Sequence, residues 1–218
     1  MGTVPANSDE AALALAVAAL AVGESRISGA SDGPALQATA RALRAFGVGI
    51  APDGPDWRVH GVGIGGLAEP AGVIDLQGAA AVLPLILGLA AGHPMTCFLT
   101  GDGDPSPLIE PLQRQGARFL LREGRGLPLG LAGARHPVPQ DHRLTLPSAA
   151  VKTAILLAGL NTPGTTRVIE PTPSARSIDT LLRRFGADIR HDTVDGAAVT
   201  ELVGQPELAP GDIALGAA

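Results

Sequence analysis

Three groups of residues in this chain have types and spacings that chemistry could use. The first is Gly101-Asp102-Gly103-Asp104-Pro105, its tightest acidic cluster. Two carboxylates one residue apart offer the oxygen donors that hard divalent cations prefer, yet the same residues also make a solvated turn capping a helix that starts near Ser106-Pro107. The turn is the reading adopted, and no metal is expected. The second is Gly61-Val62-Gly63-Ile64-Gly65-Gly66, which has the spacing of a dinucleotide fingerprint. That fingerprint needs a helix to receive the pyrophosphate, and Glu69-Pro70-Ala71-Gly72 stands there instead, so the stretch reads as a glycine-rich link. The third is a set of capping groups: Asn7, Ser8 and Asp9 ahead of one apolar run and Ser148 ahead of another. His60, His93, His136, His142 and His191 have no metal-ligand spacing, no HExxH or G-x-S-x-G occurs, and surface or loop positions are expected for all five.

The elements that must position these groups follow a pattern that occurs three times. Residues 146–160, LPSAAVKTAILLAGL, are apolar on almost every face apart from Lys152. A helix of that kind is normally buried. The same pattern appears over 11–21 and over 79–91, where Pro84 removes a backbone hydrogen bond and predicts a kinked or delayed helix. After each run come an extended segment, a turn, a helix with one polar face, and a closing glycine. The closing glycines Gly47, Gly116 and Gly186 are 69 and 70 positions apart, and Gly23 to Gly47 and Gly92 to Gly116 both span 24 positions. Such spacing marks an internal repeat, with units over about 4–66, 73–134 and 142–204.

In chain order, strands are expected over 24–28, 73–76, 95–100 and 165–169, and one-sided helices over 35–46 and 178–185. Hairpins are expected over 48–59 and 187–203. After Gly204-Gln205-Pro206 the chain is expected to tail off. The fold class that follows is α/β (α+β): three β-α-β-α-β-β repeats with buried helices surrounded by sheets, forming one domain over 1–218.

Composition narrows the function. The chain has 218 residues, 45% hydrophobic but only 2% aromatic, with no Tyr and one Trp. Its core must therefore be packed with Ala, Leu, Val, Ile and Gly, which favours close helix packing. A net charge of −5 without a basic stripe argues against nucleic acid. The run over 11–22 is about half a membrane span, and Asp9-Glu10 precede it where a signal peptide wants positive charge, so no membrane is expected. The lone Cys97 excludes a disulfide framework and a Cys-based zinc site. A reducing, cytoplasmic compartment is the simplest expectation.

Over nearly its full length the chain resembles the first domain of the enolpyruvyl transferase family, in particular its 5-enolpyruvylshikimate-3-phosphate synthase branch. The residues that carry the resemblance begin with Val4-Pro5, Ala14-Leu15, Ala18-Ala19-Leu20-Ala21 and Gly23. They continue with Ile74-Asp75, Leu85, Gly88-Leu89, Gly101-Asp102 and Leu108-Ile109-Glu110-Pro111-Leu112. They close with Pro147 to Ala154, Leu156 to Leu160, Glu170-Pro171 and Pro173-Ser174. The resemblance implies three buried helices whose N-termini face a cleft shared with a second domain. It also implies a phosphorylated substrate of the shikimate pathway of aromatic amino acid biosynthesis, with no cofactor. Helix N-termini are natural anion sites.

At the positions that bind substrate in the family, this chain departs from the pattern. Where the family places Lys, Ser and later Arg, it has Ser8, Asp9 and Leu13. The family's Asn-Ser-Gly-Thr lead and Arg become Gly78-Ala79-Ala80-Ala81 and Pro84, and the loop after Gly101-Asp102 is shortened and has no arginine. The family's Gln is Ala150, and the Arg after Ser174 is Ala175. By resemblance Ser148 and Ser174 hold the phosphate and Lys152 supports the helix, with Ser8 and Asp9 at the edge of the ligand site. The second domain, which supplies most of the family's acid/base groups, is expected to be missing.

The expectation is a diverged, non-catalytic domain reused for binding or assembly. Its partners would be a second copy or a separate chain on the former cleft face, or a small anionic or ring-like ligand. The alternatives are a diverged small-molecule enzyme using the old cleft and one half of a split 3-phosphoshikimate 1-carboxyvinyltransferase.

Overall fold

Three apolar helices form the centre of the computed structural model, which describes residues 4–5, 8–76, 78–122 and 126–216. The first unit runs β1 (Val4–Pro5), α1 (Ser8–Ala18), β2 (Val22–Ser28), α2 (Pro34–Ala45), β3 (Gly49–Asp53) and β4 (Asp56–Val62). The second runs β5 (Ile74–Leu76), α3 (Leu83–Ala91), β6 (Thr96–Gly101), α4 (Ser106–Arg114), β7 (Arg118–Leu121) and β8 (Leu129–Ala132). The third runs β9 (Asp141–Arg143), α5 (Ala149–Leu160), β10 (Thr165–Glu170), α6 (Ser177–Arg184), β11 (Ile189–Val194) and β12 (Ala197–Val203), and β13 (Ile213–Gly216) follows.

The helices α1, α3 and α5 are buried on all faces because nearly every side chain they carry is apolar. They pack closely through small residues: Gly88 and Gly92 of the second unit lie against Ala154 and Ala158 of α5, where a Cβ would meet backbone. Pro84 delays α3, which begins after a single 3-10 turn over Ala80–Val82. The outer helices bury one face each. Phe46 and Phe185, next to closing glycines, anchor the first and third units, and buried Gln115 takes that place in the second, where its Nε2 donates to the Ile155 carbonyl at 3.3 Å.

Sheet order recurs as well. The second and third sheets run β5-β6-β8-β7 and β9-β10-β12-β11, each with one parallel pair followed by two antiparallel pairs. The first runs β1-β13-β2-β4-β3. Its leading parallel strand thus comes from the far end of the chain, with Ile213 in register with Ile27. This corrects the expected tail after Pro206. The strand carries only Ile213 and Leu215 as buried residues, and two apolar positions are too few to signal alternation. What holds it is the open parallel edge of β2.

Candidate ligand site at the helix N-termini

The N-termini of the three central helices converge on a cavity of about 270 Å³. It is lined by Asp9, Glu10 and Leu13 of α1, Ala81, Pro84 and Leu85 at the start of α3, Ala149, Ala150 and Thr153 of α5, and Ser177 of α6. Helix N-termini present unpaired N–H groups and a partial positive charge, which ordinarily draw an anion. Here Asp9 and Glu10 occupy the first turn of α1 and meet that charge from within the chain. Burial raises the Glu10 pKa above the usual carboxylate value. No Lys, Arg or His is among the lining residues.

The residues singled out from sequence are not gathered here. Asp9 lines the cavity, while Ser8 packs beside Gly33 at the start of the helix. Ser148 is the N-cap of α5, its hydroxyl accepting the Val151 N–H at 3.3 Å, and it lines a separate cavity of about 370 Å³ with Arg114, His142 and Arg143. Ser174 donates its hydroxyl to Glu170 at 3.0 Å, and the same carboxylate accepts the Ser148 N–H at 3.1 Å. Glu170 thus ties both serines to the body of the domain.

Lys152 is 1% exposed, with its ammonium 3.4 Å from Asp179 and 3.8 Å from Glu170. Asp179 also receives His191 Nε2 at 2.8 Å, and Arg183 donates to His191 Nδ1 at 3.0 Å, which fixes the tautomer with its proton on Nε2. Lys152 is therefore locked in a buried ion network and does not reach the cavity. Sequence reasoning missed Glu170, Asp179 and His191 as its partners. The signal was Lys152 itself: an ammonium on an otherwise apolar helix demands buried carboxylates.

Two of the five histidines also depart from expectation. His93 and His142 are buried, at 1% and 2% exposure. His93 lies at the end of α3, where Nδ1 donates to the Leu89 carbonyl at 2.7 Å and Nε2 accepts the Gly65 N–H, so its neutral form is held by polar partners. Burial pushes the His142 pKa down to about 4; Arg114 adds to the shift and Asp141 opposes it. The acidic cluster behaves as the expected turn: Asp102 accepts the Gly78 N–H at 2.8 Å, and Asp104 accepts the Ser106 N–H at the start of α4 at 3.0 Å.

A family model for EPSP synthase (3-phosphoshikimate 1-carboxyvinyltransferase) matches residues 2–212. The chain belongs to the EPSP synthase family. Relatives named 3-phosphoshikimate 1-carboxyvinyltransferase include one from Novosphingobium aromaticivorans, 42% identical over 97% of this chain and 50% of its own length. One from Parvibaculum lavamentivorans is 45% identical over 95% of this chain and 48% of its own. The chain thus spans about half the length of the curated relatives it matches. Among solved structures, EPSP synthase from Acinetobacter baumannii superposes with a TM-score of 0.88 at 29% identity, covering 98% of this chain and 49% of that one. The enolpyruvyl transferase NikO from Streptomyces tendae, at 20% identity and a TM-score of 0.70, shares the fold. The EPSP synthase fold accounts for the convergence of helices, and this chain corresponds to one half of the two-part molecule.

Proposed function

We propose that this EPSP synthase-like domain does not carry out enolpyruvyl transfer, and that the pole formed by its helix N-termini binds another chain or a weakly charged, ring-like ligand. The observation that supports the reading is the charge of the cavity, where Asp9 and Glu10 stand and no cation does. A phosphorylated substrate is held by several charge-assisted hydrogen bonds, each contributing roughly 1.5–3 kcal/mol. Lys152 is spent on Asp179 and Glu170, and the Ser174 hydroxyl is engaged by a carboxylate. An incoming dianion would meet carboxylates instead of counter-charges. The occupant that suits such a lining carries apolar surface for Leu13, Pro84 and Leu85 and a positive or neutral polar group for Asp9.

Calorimetric titration of the purified chain with 3-phosphoshikimate, the compound in the relatives' name, tests this. The expected result is no binding at micromolar concentrations. Micromolar affinity would overturn the reading.

A second reading rests on the chain's span, since it matches about half of its relatives' length at up to 45% identity. In it the domain serves enolpyruvyl transfer together with the other half of the relatives' length. Mixing it with the remaining half, taken from the Parvibaculum relative, would then produce turnover, and absence of turnover in a mixture that forms a complex removes this reading.

A further inference from the structure

The residues just before Gly61, Gly133 and Gly204 occupy the same place in the three units, on a strand flanked by two others. In the first sheet the row through this place is Glu24, His60 and Gly49. His60 meets Glu24 at 3.5 Å and lies against Gly49, whose added Cβ would sit 3.2 Å from the His60 Cβ. In the third sheet Val203 stands beside Thr165 and donates its N–H to the Asp188 carbonyl at 3.0 Å, and the Asp188 carboxylate is taken by Arg190. In the second sheet the row is Thr96, Ala132 and Arg118. Where the other rows carry an imidazole or a valine at their centre, this one carries a methyl, which leaves a trough.

The trough is part of a cavity of about 650 Å³. Arg118 of β7 lines it together with Arg135 and His136 of the segment that leaves β8. Glu69 lines it beside Thr96, whose N–H one of its carboxylate oxygens accepts at 2.7 Å, leaving the second oxygen for another donor. Arg118 and Arg135 are exposed, and neither has an ion-pair partner among the described residues. A guanidinium fork binds a carboxylate through two parallel hydrogen bonds. Two forks therefore suit two carboxylates, and the acid across the trough suits a cation. Thr96 and Arg118 stand two strand spacings apart, roughly 10 Å, with Ala132 between them. An extended glutamate spans that gap with a hydrogen bond at each end.

We propose that this cavity binds an acidic amino acid of the size of glutamate. Arg118 takes the side-chain carboxylate, Arg135 and His136 take the α-carboxylate, and Glu69 takes the ammonium. Lining and ligand then match group for group, and a few convergent polar groups in a concave site are what fixes the orientation of a small ligand. A phosphorylated ligand without an amine has no cation to offer Glu69. The cavity lies where α3 finishes, with Pro94 and Gly133 among its walls, so this site and the proposed use of the helix N-termini stand or fall separately.

Titration of the full chain with L-glutamate, followed by amide shifts in a two-dimensional NMR spectrum, tests the inference. Half-saturation is expected at about 1 mM or below. Arg118→Gln and Arg135→Gln should each weaken binding roughly tenfold or more, with an unchanged circular dichroism spectrum because both side chains are exposed. Glutarate keeps both carboxylates and lacks the ammonium, so it should bind the wild-type chain roughly tenfold more weakly than glutamate. Glu69→Gln, which retains an acceptor for the Thr96 N–H, should bring glutamate down to the level of glutarate. The absence of saturation by about 10 mM overturns the proposal. So does glutamate binding that survives both arginine substitutions, or glutarate bound as tightly as glutamate by the wild-type chain.

Discussion

The two ends of the three-helix core obey different rules. At the end where the helices finish, the three units are alike: Gly61, Gly133 and Gly204 each press on carbonyls at and just beyond the end of a central helix, those of Ala18 and Ala21, Ala90 and His93, and Gly159 and Thr162. Side chains complete this end, with His93 accepting the Gly65 N–H and Asn161 donating to the Gly92 carbonyl at 2.7 Å. At the opposite end the units differ. One helix opens with Asp9 and Glu10, one starts late behind a 3-10 turn, and one is capped by Ser148. Packing forces the first end to be uniform, because only glycine fits against those carbonyls. The second end faces an open cavity, where no such contact restricts residue type.

The sharpest way to break the comparison is to add one carbon at the uniform end. A Cβ on Gly133 would overlap the Ala90 and His93 carbonyl oxygens, which belong to backbone and cannot swing away. Gly133→Ala is expected to cost more than about 4 kcal/mol, the size that marks a severe structural lesion, and so to leave little folded chain. Gly72, with nothing near its added Cβ, is the control: Gly72→Ala should shift the urea midpoint by less than about 0.5 kcal/mol equivalent. Equal tolerance of both substitutions would break the distinction.

The next largest effect belongs to Lys152, a cation buried close to the divergent end. Lys152→Met leaves Asp179 and Glu170 facing each other without their shared ammonium. Removing one partner of a buried pair costs about 3–5 kcal/mol, far more than an exposed pair is worth. Denaturant unfolding measures this directly. A loss below about 1 kcal/mol would mean that Lys152 is dispensable to the fold.

These two substitutions also show what the sequence could reveal. The closing glycines and apolar runs were readable because helix packing and turn geometry restrict residue type at fixed intervals. Pro84 announced the late start of α3 for the same reason. The strand β13 was not readable, since its pairing partner β2 lies 186 residues away and nothing local encodes that choice. The candidate site was half readable. Asp9 and Ser148 were recognisable as groups at helix starts, but whether a side chain faces a cavity or is tied to Glu170 depends on three-dimensional neighbours. His142 illustrates the same limit, because a histidine in a polar stretch gives no sign that its alternate position on β9 turns inward.

His142 carries a pH prediction of intermediate size. Its pKa falls from the ordinary 6.5 to about 4 on folding, so the unfolded chain binds the proton first. Stability is therefore full above about pH 6.5 and is lost progressively as pH falls toward 4, by roughly 3 kcal/mol at most. His93, at the uniform end, shifts in the same direction through burial. His142→Leu should flatten part of the acid slope measured by thermal unfolding between pH 7 and 4, leaving the part due to His93. An unchanged slope would show that His142 is protonated freely in the folded chain.

The smallest expected change in stability is the most informative about the open end. Asp9 is exposed, sits in the first turn of α1 and lines the cavity. Asp9→Lys exchanges a favourable helix-dipole contact for an unfavourable one, at a cost of about 0.3–1 kcal/mol. The same change turns the lining from acidic toward neutral, with Glu10 remaining, and gives the three helix N-termini a cation to share with an incoming anion. If the divergent end differs from an anion site chiefly by its charge, phosphate or 3-phosphoshikimate binding should become measurable in the variant, while the wild-type chain shows none. If the variant binds neither, the position and shape of the lining, set by the late start of α3 and by Ala149 and Ala150, outweigh charge. In either case the glycine-packed end should be unaffected, because Asp9 and those carbonyls lie at opposite ends of α1.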